Sequence, residues 1–532
     1  MKSIYKSALI LMIGLMTSCE TFLDKNDPAG ITPDDYTNEQ MYESLVNSMY
    51  SPLRDLVSNP DLFFYGTDIT WANSNTEVIA LNSYNGIATD YESVNDLWVS
   101  LYAGIHRANT AIERAAAVEM DQDIVAVRVG EAKFIRALFH FYAVQTWGDV
   151  PLMTEAVKGA ETELVRAPQK AVYEQIVMDL NEAMEVLPET ASDYGRATNT
   201  AAKHLLSKVY LTRGYKSFAE TTDFSNAAKM ADEVIGTSDR SLVMNFADLW
   251  KESNEENEEV IFSIQYTTDL STIGKGNDQR KWFGFIYESF TGMELSTELG
   301  SKDPDLRPTA YFFQLFDTDA DLRYRDGFKH SFDANMDDGD LSKGDTAIFF
   351  PDWDKPWTED EKAAVNYEVI NFADWNVHNT SDNGSAYPML WKFHQPFTYD
   401  KGTRDAILMR LGETYLTAAE AYLQLGEVAT AAERVNTLRS RSVNTGYETE
   451  FTVNASDITL DFILDERARE LFGEMHRWYD LVRTNKLVER AIKYNPLANE
   501  GQTLNANNMY RPIPQKQIDL STNAVQQNKG YN

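Results

Sequence analysis

Half of the ten tryptophans in this 532-residue chain, Trp282, Trp353, Trp357, Trp375 and Trp391, fall between residues 267 and 400, a quarter of its length. Flat rings set among Asp, Asn, Arg and Gln suit the recognition of sugars. A sugar offers apolar C–H faces that stack on an aromatic ring, and its hydroxyls are left for polar side chains. Each ring contributes on the order of 1 kcal/mol beyond its buried area, by analogy with aromatic pairs. Several rings with hydrogen bonds amount to roughly micromolar to millimolar affinity after ordering costs. Trp282 lies in Gln279-Arg280-Lys281-Trp282-Phe283-Gly284-Phe285, Trp353 and Trp357 flank Pro356 in an acidic loop, and Trp71 sits in Asp68-Ile69-Thr70-Trp71-Ala72-Asn73-Ser74-Asn75. These placements make Trp71, Trp282, Trp353 and Trp357 the expected stacking rings, and Asp68, Asn73 and Arg280 the expected hydroxyl contacts. Trp98, Trp147, Trp250 and Trp478 fall in or at the end of helical patterns and are expected in the core.

Catalytic chemistry finds no comparable support. The sequence has no H-E-x-x-H, no G-x-S-x-G and no phosphate loop. Its seven histidines are scattered, and His140 and His204 lie within helical patterns as packed side chains. A glycosidase needs only two carboxylates across a cleft, so a surface glycosidase stays open as an alternative. The run Asp333-Ala-Asn335-Met-Asp337-Asp338-Gly339-Asp340 has alternating oxygen ligands that suit calcium, but Gly339 falls one residue late for an EF-hand loop. A solvated acidic turn is the reading adopted, and no cofactor is expected.

The single cysteine, Cys19, has a different chemistry. Lys2 and Lys6 precede an apolar run from Ala8 to Met16 that is too short to span a bilayer, and Leu15-Met16-Thr17-Ser18-Cys19 closes it. This pattern resembles a bacterial lipoprotein signal: residues 1–18 are removed and Cys19 becomes the lipidated first residue. Two or more acyl chains hold such a protein on a membrane, at about 0.8 kcal/mol per buried methylene. Residues 19–36 are polar and contain proline, and read as a tether. With 82 acidic against 48 basic side chains the formal charge is −34, which excludes nucleic acid as a partner. It weighs less against polyanionic ligands, because one local basic patch can outvote the mean.

The elements that must position these residues are mostly helices. Apolar spacing predicts helices over 40–53, 97–118, 124–147, 168–187, 199–214, 225–236, 408–426, 427–440, 457–472 and 474–490. Two pairs look like tetratricopeptide repeats. In one, Ala418, Ala421, Ala431 and Ala432 let two helices approach and Tyr422 fills the space between repeats; Lys208–Leu211, Gly214, Ala227, Ala228 and Ala231 form the other. Glu259 to Tyr266 has the period of a strand, with Val260, Phe262, Ile264 and Tyr266 on one face. The fold class is therefore mainly α: a helical-repeat body (37–258 and 401–532) in one domain with a large irregular, loop-rich part (259–400) carrying a few short strands. Loops this long are usually functional.

Four motifs give the chain a resemblance to a known family. Phe134-Ile135-Arg136-Ala137-Leu138-Phe139-His140-Phe141-Tyr142 with Trp147-Gly148-Asp149-Val150-Pro151-Leu152 is the first, and Arg410-Leu411-Gly412-Glu413-Thr414-Tyr415-Leu416 with Ala419-Glu420-Ala421 the second. Glu466-Arg467-Ala468-Arg469-Glu470 with Glu474, Arg477, Asp480, Leu481 and Arg483 is the third, and Pro512-Ile513-Pro514 with Asn528-Lys529-Gly530-Tyr531 the fourth. Together they resemble the SusD/RagB family of surface glycan-binding lipoproteins, with Trp147 replacing a usual Tyr and Lys529 a usual Pro. The motif Arg and Glu residues read as buried ion pairs that fix helix docking. The resemblance implies an oligosaccharide-binding, non-catalytic protein anchored in the outer membrane and facing outward. It also implies a partner, a SusC-like TonB-dependent transporter. The net charge leans towards a neutral glycan such as a β-glucan. A peptide-binding uptake lipoprotein, with a lined groove on the helices, is the other alternative.

Overall fold

The computed structural model describes residues 38–531 apart from 73, 158, 160, 161, 270, 304, 305, 376, 379–385, 399 and 400. The expected signal, Cys19 and the tether lie outside the described residues. The chain is mainly helical, with 49% helix and 7% strand.

The helices begin where side chains satisfy free backbone amides. Asn38 accepts from Met41 N ahead of Glu39–Ser48, Asp121 from Asp123 N ahead of Gln122–Trp147, and Thr198 from Ala201 N ahead of Asn199–Gly214. Gly148, at φ 76°, ends the second of these. Helices Glu92–Arg114, Gln122–Trp147, Gln169–Val186, Asn199–Gly214, Asp223–Ile235, Leu411–Gln424 and Val428–Arg439 pack each on the next. The repeat stack is thus continuous in space although about 175 residues separate its fifth and sixth helices. Ala227, Ala228, Ala231, Ala418, Ala421 and Ala431 are buried at these contacts. Tyr422 crosses between the two expected pairs and donates to Asp232 at 2.5 Å.

Two expectations change. Residues 408–410 belong to a strand, Ala406–Arg410, that pairs antiparallel with Val260–Ile264 and closes the neck of the irregular part. All five residues of Val260–Ile264 are buried, so its alternating pattern does not mark a solvent face. The helix expected over 474–490 is two, Arg477–Arg483 and Leu487–Tyr494, broken at Asn485 with φ 58°.

The motif charges meet at that neck. Arg410 pairs with Glu259 (2.9 Å), Glu470 (2.7 Å) and Glu474 (2.6 Å), and Lys392 with Glu474 (3.0 Å). Arg323 reaches Asp321, Glu466 and Glu470, and Arg441 reaches Glu259 and Glu470. Burial alone would raise the Glu466 carboxyl, but Arg323, Arg469 and Arg439 hold it well below the carboxylate range. Elsewhere Arg136 pairs with Asp179, Arg467 with Asp480 and Arg483 with Glu420. The pairs at the neck join the irregular part to the body, and the last three lie within the body. No helix among the described residues is long and apolar enough to cross a membrane.

Candidate functional site

The expected site residues separate into a buried set and an exposed one. Trp71 is fully buried in a two-residue strand paired with Arg307–Pro308, its ring under the Arg307 guanidinium at 5.1 Å. Trp282 is 5% exposed, wedged edge-on between Phe64 (5.3 Å) and Phe393 (6.3 Å). Neither ring has a face left for a sugar, because each is buried against side chains from distant segments, Arg307 for Trp71 and Phe64 and Phe393 for Trp282. Asp68 is buried and accepts from Arg477 Nε (2.7 Å) and Nη2 (2.6 Å) and from Arg490 Nε (2.7 Å). Burial pushes its carboxyl up, but the two guanidiniums outweigh this and hold it below its ordinary value. Arg280 is 4% exposed, with its guanidinium flat on the Phe397 ring at 3.7 Å. These four are structural as placed. Asn73 lies outside the described residues. Trp98, Trp147, Trp250 and Trp478 are buried, as expected.

Trp353 and Trp357 stay half-buried at the surface, four residues apart in the sequence, in one loop that forms an aromatic ledge. It rests on the sheet formed by Ser331–Asp333, Thr346–Phe349 and Glu368–Val369. The Trp353 indole donates to Phe316 O at 3.1 Å, and its ring stands edge-on to Phe372 at 6.1 Å. Trp357 tilts against Phe349 (5.4 Å) and Tyr367 (6.4 Å). Asn371 clamps the Trp357 backbone, accepting from its N–H at 2.9 Å and donating to its carbonyl at 2.8 Å. Lys355, between the rings, bonds Thr318 (2.9 Å) and Asp319 (2.6 Å). The rings are therefore fixed before any ligand arrives. The exposed carboxylates of Asp354 and Asp360 and the half-exposed Asp352 lie close in sequence and suit hydroxyl donors.

A second half-buried aromatic group was not among the expected contacts. Trp391 and His394 stack at 3.7 Å with planes 10° apart, and Phe397 follows three residues on. The recurrence of a ring at 391, 394 and 397 was the available signal.

The acidic turn at 333–345 uses its oxygens internally. Asp337 accepts from Lys343 N (2.8 Å), Asp338 from Gly292 N (3.2 Å), Asp345 from Ser342 N (2.8 Å) and Asn335 from Glu294 N (2.7 Å). Among the described residues no group of three or more His, Cys, Asp or Glu side chains converges as for a metal. One carboxyl is perturbed upward: burial pushes Asp61 to about 6, with Glu77 and Asp303 adding to it.

A stacked helical-repeat body with an irregular, aromatic-bearing part inserted at an ion-paired neck defines a class of its own. A model of the SusD family matches residues 228–531, and one described as starch-binding associating with outer membrane matches residues 21–211. The chain belongs to the SusD family. It is 28% identical over 516 residues to SusD-like protein P25 of Formosa agariphila, covering 90% of this chain and 89% of that one. It is 23% identical to the starch-binding protein SusD of Bacteroides thetaiotaomicron, covering 75% and 72%. A solved laminarin-binding SusD-like protein superposes with a TM-score of 0.71 at 25% identity, over 93% of this chain and 100% of that one.

Proposed function

We propose that this protein is a surface lipoprotein, anchored through Cys19 in the outer membrane, that captures a neutral glycan without cleaving it. The Trp353–Trp357 ledge is its platform, a β-glucan its ligand, and a SusC-like TonB-dependent transporter its acceptor. The likeness to the laminarin-binding relative over nearly the whole of both chains is the observation that carries this reading. The ledge supports it because rings held by Phe316, Phe372 and Asn371 lose little freedom on binding. The charge of −34 supports a ligand that is neutral over most of its length.

Electrophoresis through gels containing laminarin tests the proposal. The native protein is expected to be retarded, and Trp353→Ala and Trp357→Ala to run freely with unchanged circular dichroism. Absence of retardation by any neutral glycan would overturn glycan capture. Retardation that persists in the double variant would move the platform elsewhere.

One observation favours peptide uptake as a second reading. A groove of about 540 Å³ between helices 223–235 and 411–424 is lined by Lys229, Asp232, Glu233, Tyr422, Leu425 and Glu427, with Asp232 paired to Arg434 and Glu233 to Lys203 and Lys229. An extended peptide fits such a groove, and calorimetric titration with unstructured peptides distinguishes the two readings.

A further inference from the structure

We propose that the surface around Trp391 is a cationic subsite for an anionic substituent, a sulfate ester or a carboxylate, carried on the otherwise neutral glycan. The inference rests on the glycan reading above but concerns a different place. Trp391 follows strand Met389–Leu390, and its backbone N–H donates to Gly327 O at 2.8 Å. His394 lies parallel to its ring. The Lys329 ammonium sits 4.9 Å from the centre of the Trp391 ring, and the Lys302 ammonium 5.9 Å from it and 5.7 Å from that of Phe397. Gly300, at φ 63°, brings the chain so close to Phe397 that a Cβ would lie 1.9 Å from the ring. The wall of the subsite is thus packed and fixed.

Three features point to an anion. First, the Trp391 ring is already in contact with a histidine and two ammonium groups, so it offers a sugar little open face, unlike Trp353. Second, among the described residues neither lysine lies within ion-pair distance of a carboxylate, although carboxylates outnumber cations 82 to 48. The buried cations of the neck, Arg323, Lys392, Arg410 and Arg441, are all paired. Among the described residues Lys302 donates to a backbone carbonyl, Arg280 O at 2.9 Å. Burial pushes its ammonium down to about 7, with the Arg280 guanidinium adding, and the Glu298 carboxylate offsets this only in part. Third, the carboxylates that face the subsite leave it open. Glu298 is 68% exposed and bonded to His394 Nε2 at 3.2 Å; it acts on both lysines, and Asp333 on Lys329, from beyond pairing distance. An oxyanion at this cationic surface would gain at least one charge-assisted hydrogen bond.

The test is calorimetric titration of the full chain at low ionic strength with three probes: laminarin, sparsely sulfated laminarin and sparsely carboxymethylated laminarin. One or both substituted polymers are expected to bind about tenfold tighter than laminarin, the size of one charge-assisted hydrogen bond. The advantage is expected to fall below about threefold in Lys329→Gln and in Lys302→Gln and to shrink with added salt. Laminarin affinity should not change in Lys329→Gln, which keeps the proposal testable where Lys302→Gln misfolds. Sulfate and carboxylate are separated by which polymer gains. Laminarin binding with no gain from either substituent, or a gain unchanged in Lys329→Gln, overturns the subsite and leaves glycan capture standing. Failure of all three probes to bind overturns both.

Discussion

Trp282 and Trp353 stand in the same loop-rich part of the chain and end in opposite environments. Trp282 is wedged between Phe64 and Phe393. Trp353 leans on Phe372 and keeps part of its ring at the surface. Their immediate neighbours make the difference. Trp282 runs directly into Phe283-Gly284-Phe285, so no residue on that side needs water, and Phe283 tilts against Phe472 at 4.5 Å while held at φ 53°. Trp353 is bracketed by Asp352, Asp354 and Lys355, whose charges are too costly to bury unpaired and keep the loop outside. Charges on both sides thus keep a ring such as Trp353 at the surface, and an apolar run on one side draws a ring such as Trp282 inside. Trp71 obeys the same rule, since Ile69, Thr70 and Ala72 around it are all buried.

The largest expected effects lie on the buried side. Asp68→Ala strips the counter-charge from Arg477 and leaves Arg490 with only partly exposed carboxylates, and is expected to cost about 3–5 kcal/mol. Trp282→Ala is expected to cost about 3–5 kcal/mol as a cavity in an aromatic core. Trp353→Ala removes a half-buried ring and should cost only about 1 kcal/mol, while abolishing retardation in glycan gels. Urea midpoints for the three variants check the order. Equal destabilisation by Trp282→Ala and Trp353→Ala would erase the contrast.

Acid sharpens the contrast from the other direction. Burial, with the Arg136 guanidinium adding, pushes His140 down to about 3. Burial pushes His476 down to about 4 against the pull of Glu413, with Lys208 and Arg467 adding to the fall. Both are neutral in the fold, whereas the unfolded chain protonates them near 6.5. Their contribution is complete above pH 6.5 and is lost as pH falls towards 4, by up to about 3 kcal/mol apiece at roughly 1.4 kcal/mol per unit. His476→Gln should flatten unfolding free energy between pH 6.5 and 4; a slope equal to that of the native protein would mean the loss arises elsewhere.

How much of this was legible follows from where the partners of each residue lie. The helices and the small-residue contacts were readable because each depends on neighbours within a turn or a repeat, and the bridging role of Tyr422 from its place in the repeat pattern, although its partner Asp232 lies 190 positions away. The motif charges were readable as buried pairs, but their wiring was not: Arg477 meets Asp68 across 409 positions. The strand Ala406–Arg410 was hidden because an apolar run buried on both faces fits a helix start equally well. Of the expected site residues, Trp353 and Trp357 are the two that the structure leaves half-buried at the surface, in a loop rich in charged residues. Trp71, Trp282, Asp68 and Arg280 were placed in it because Phe64, Arg307, Arg477 and Phe397, which claim them, lie in distant segments.

The smallest effect isolates positioning from stability. Lys355 lies exposed between the two ledge rings, paired with Asp319 at 2.6 Å and Asp352 at 3.3 Å. Exposed pairs contribute less than about 1 kcal/mol, so Lys355→Ala should leave the urea midpoint nearly unmoved. Its bonds to Thr318 and Asp319 nevertheless hold the loop on the segment that also accepts the Trp353 indole at Phe316. Releasing them lets Trp353 and Trp357 move independently, and the ordering cost then falls on the glycan. At about 0.5–1.5 kcal/mol for an immobilised side chain, laminarin affinity should drop by roughly three- to tenfold at unchanged stability. Lys355→Arg should restore most of it by reaching the same carboxylates. Unchanged affinity in Lys355→Ala would mean that the rings are held by Phe372 and Asn371 alone, and that the ion pairs of this loop are passive.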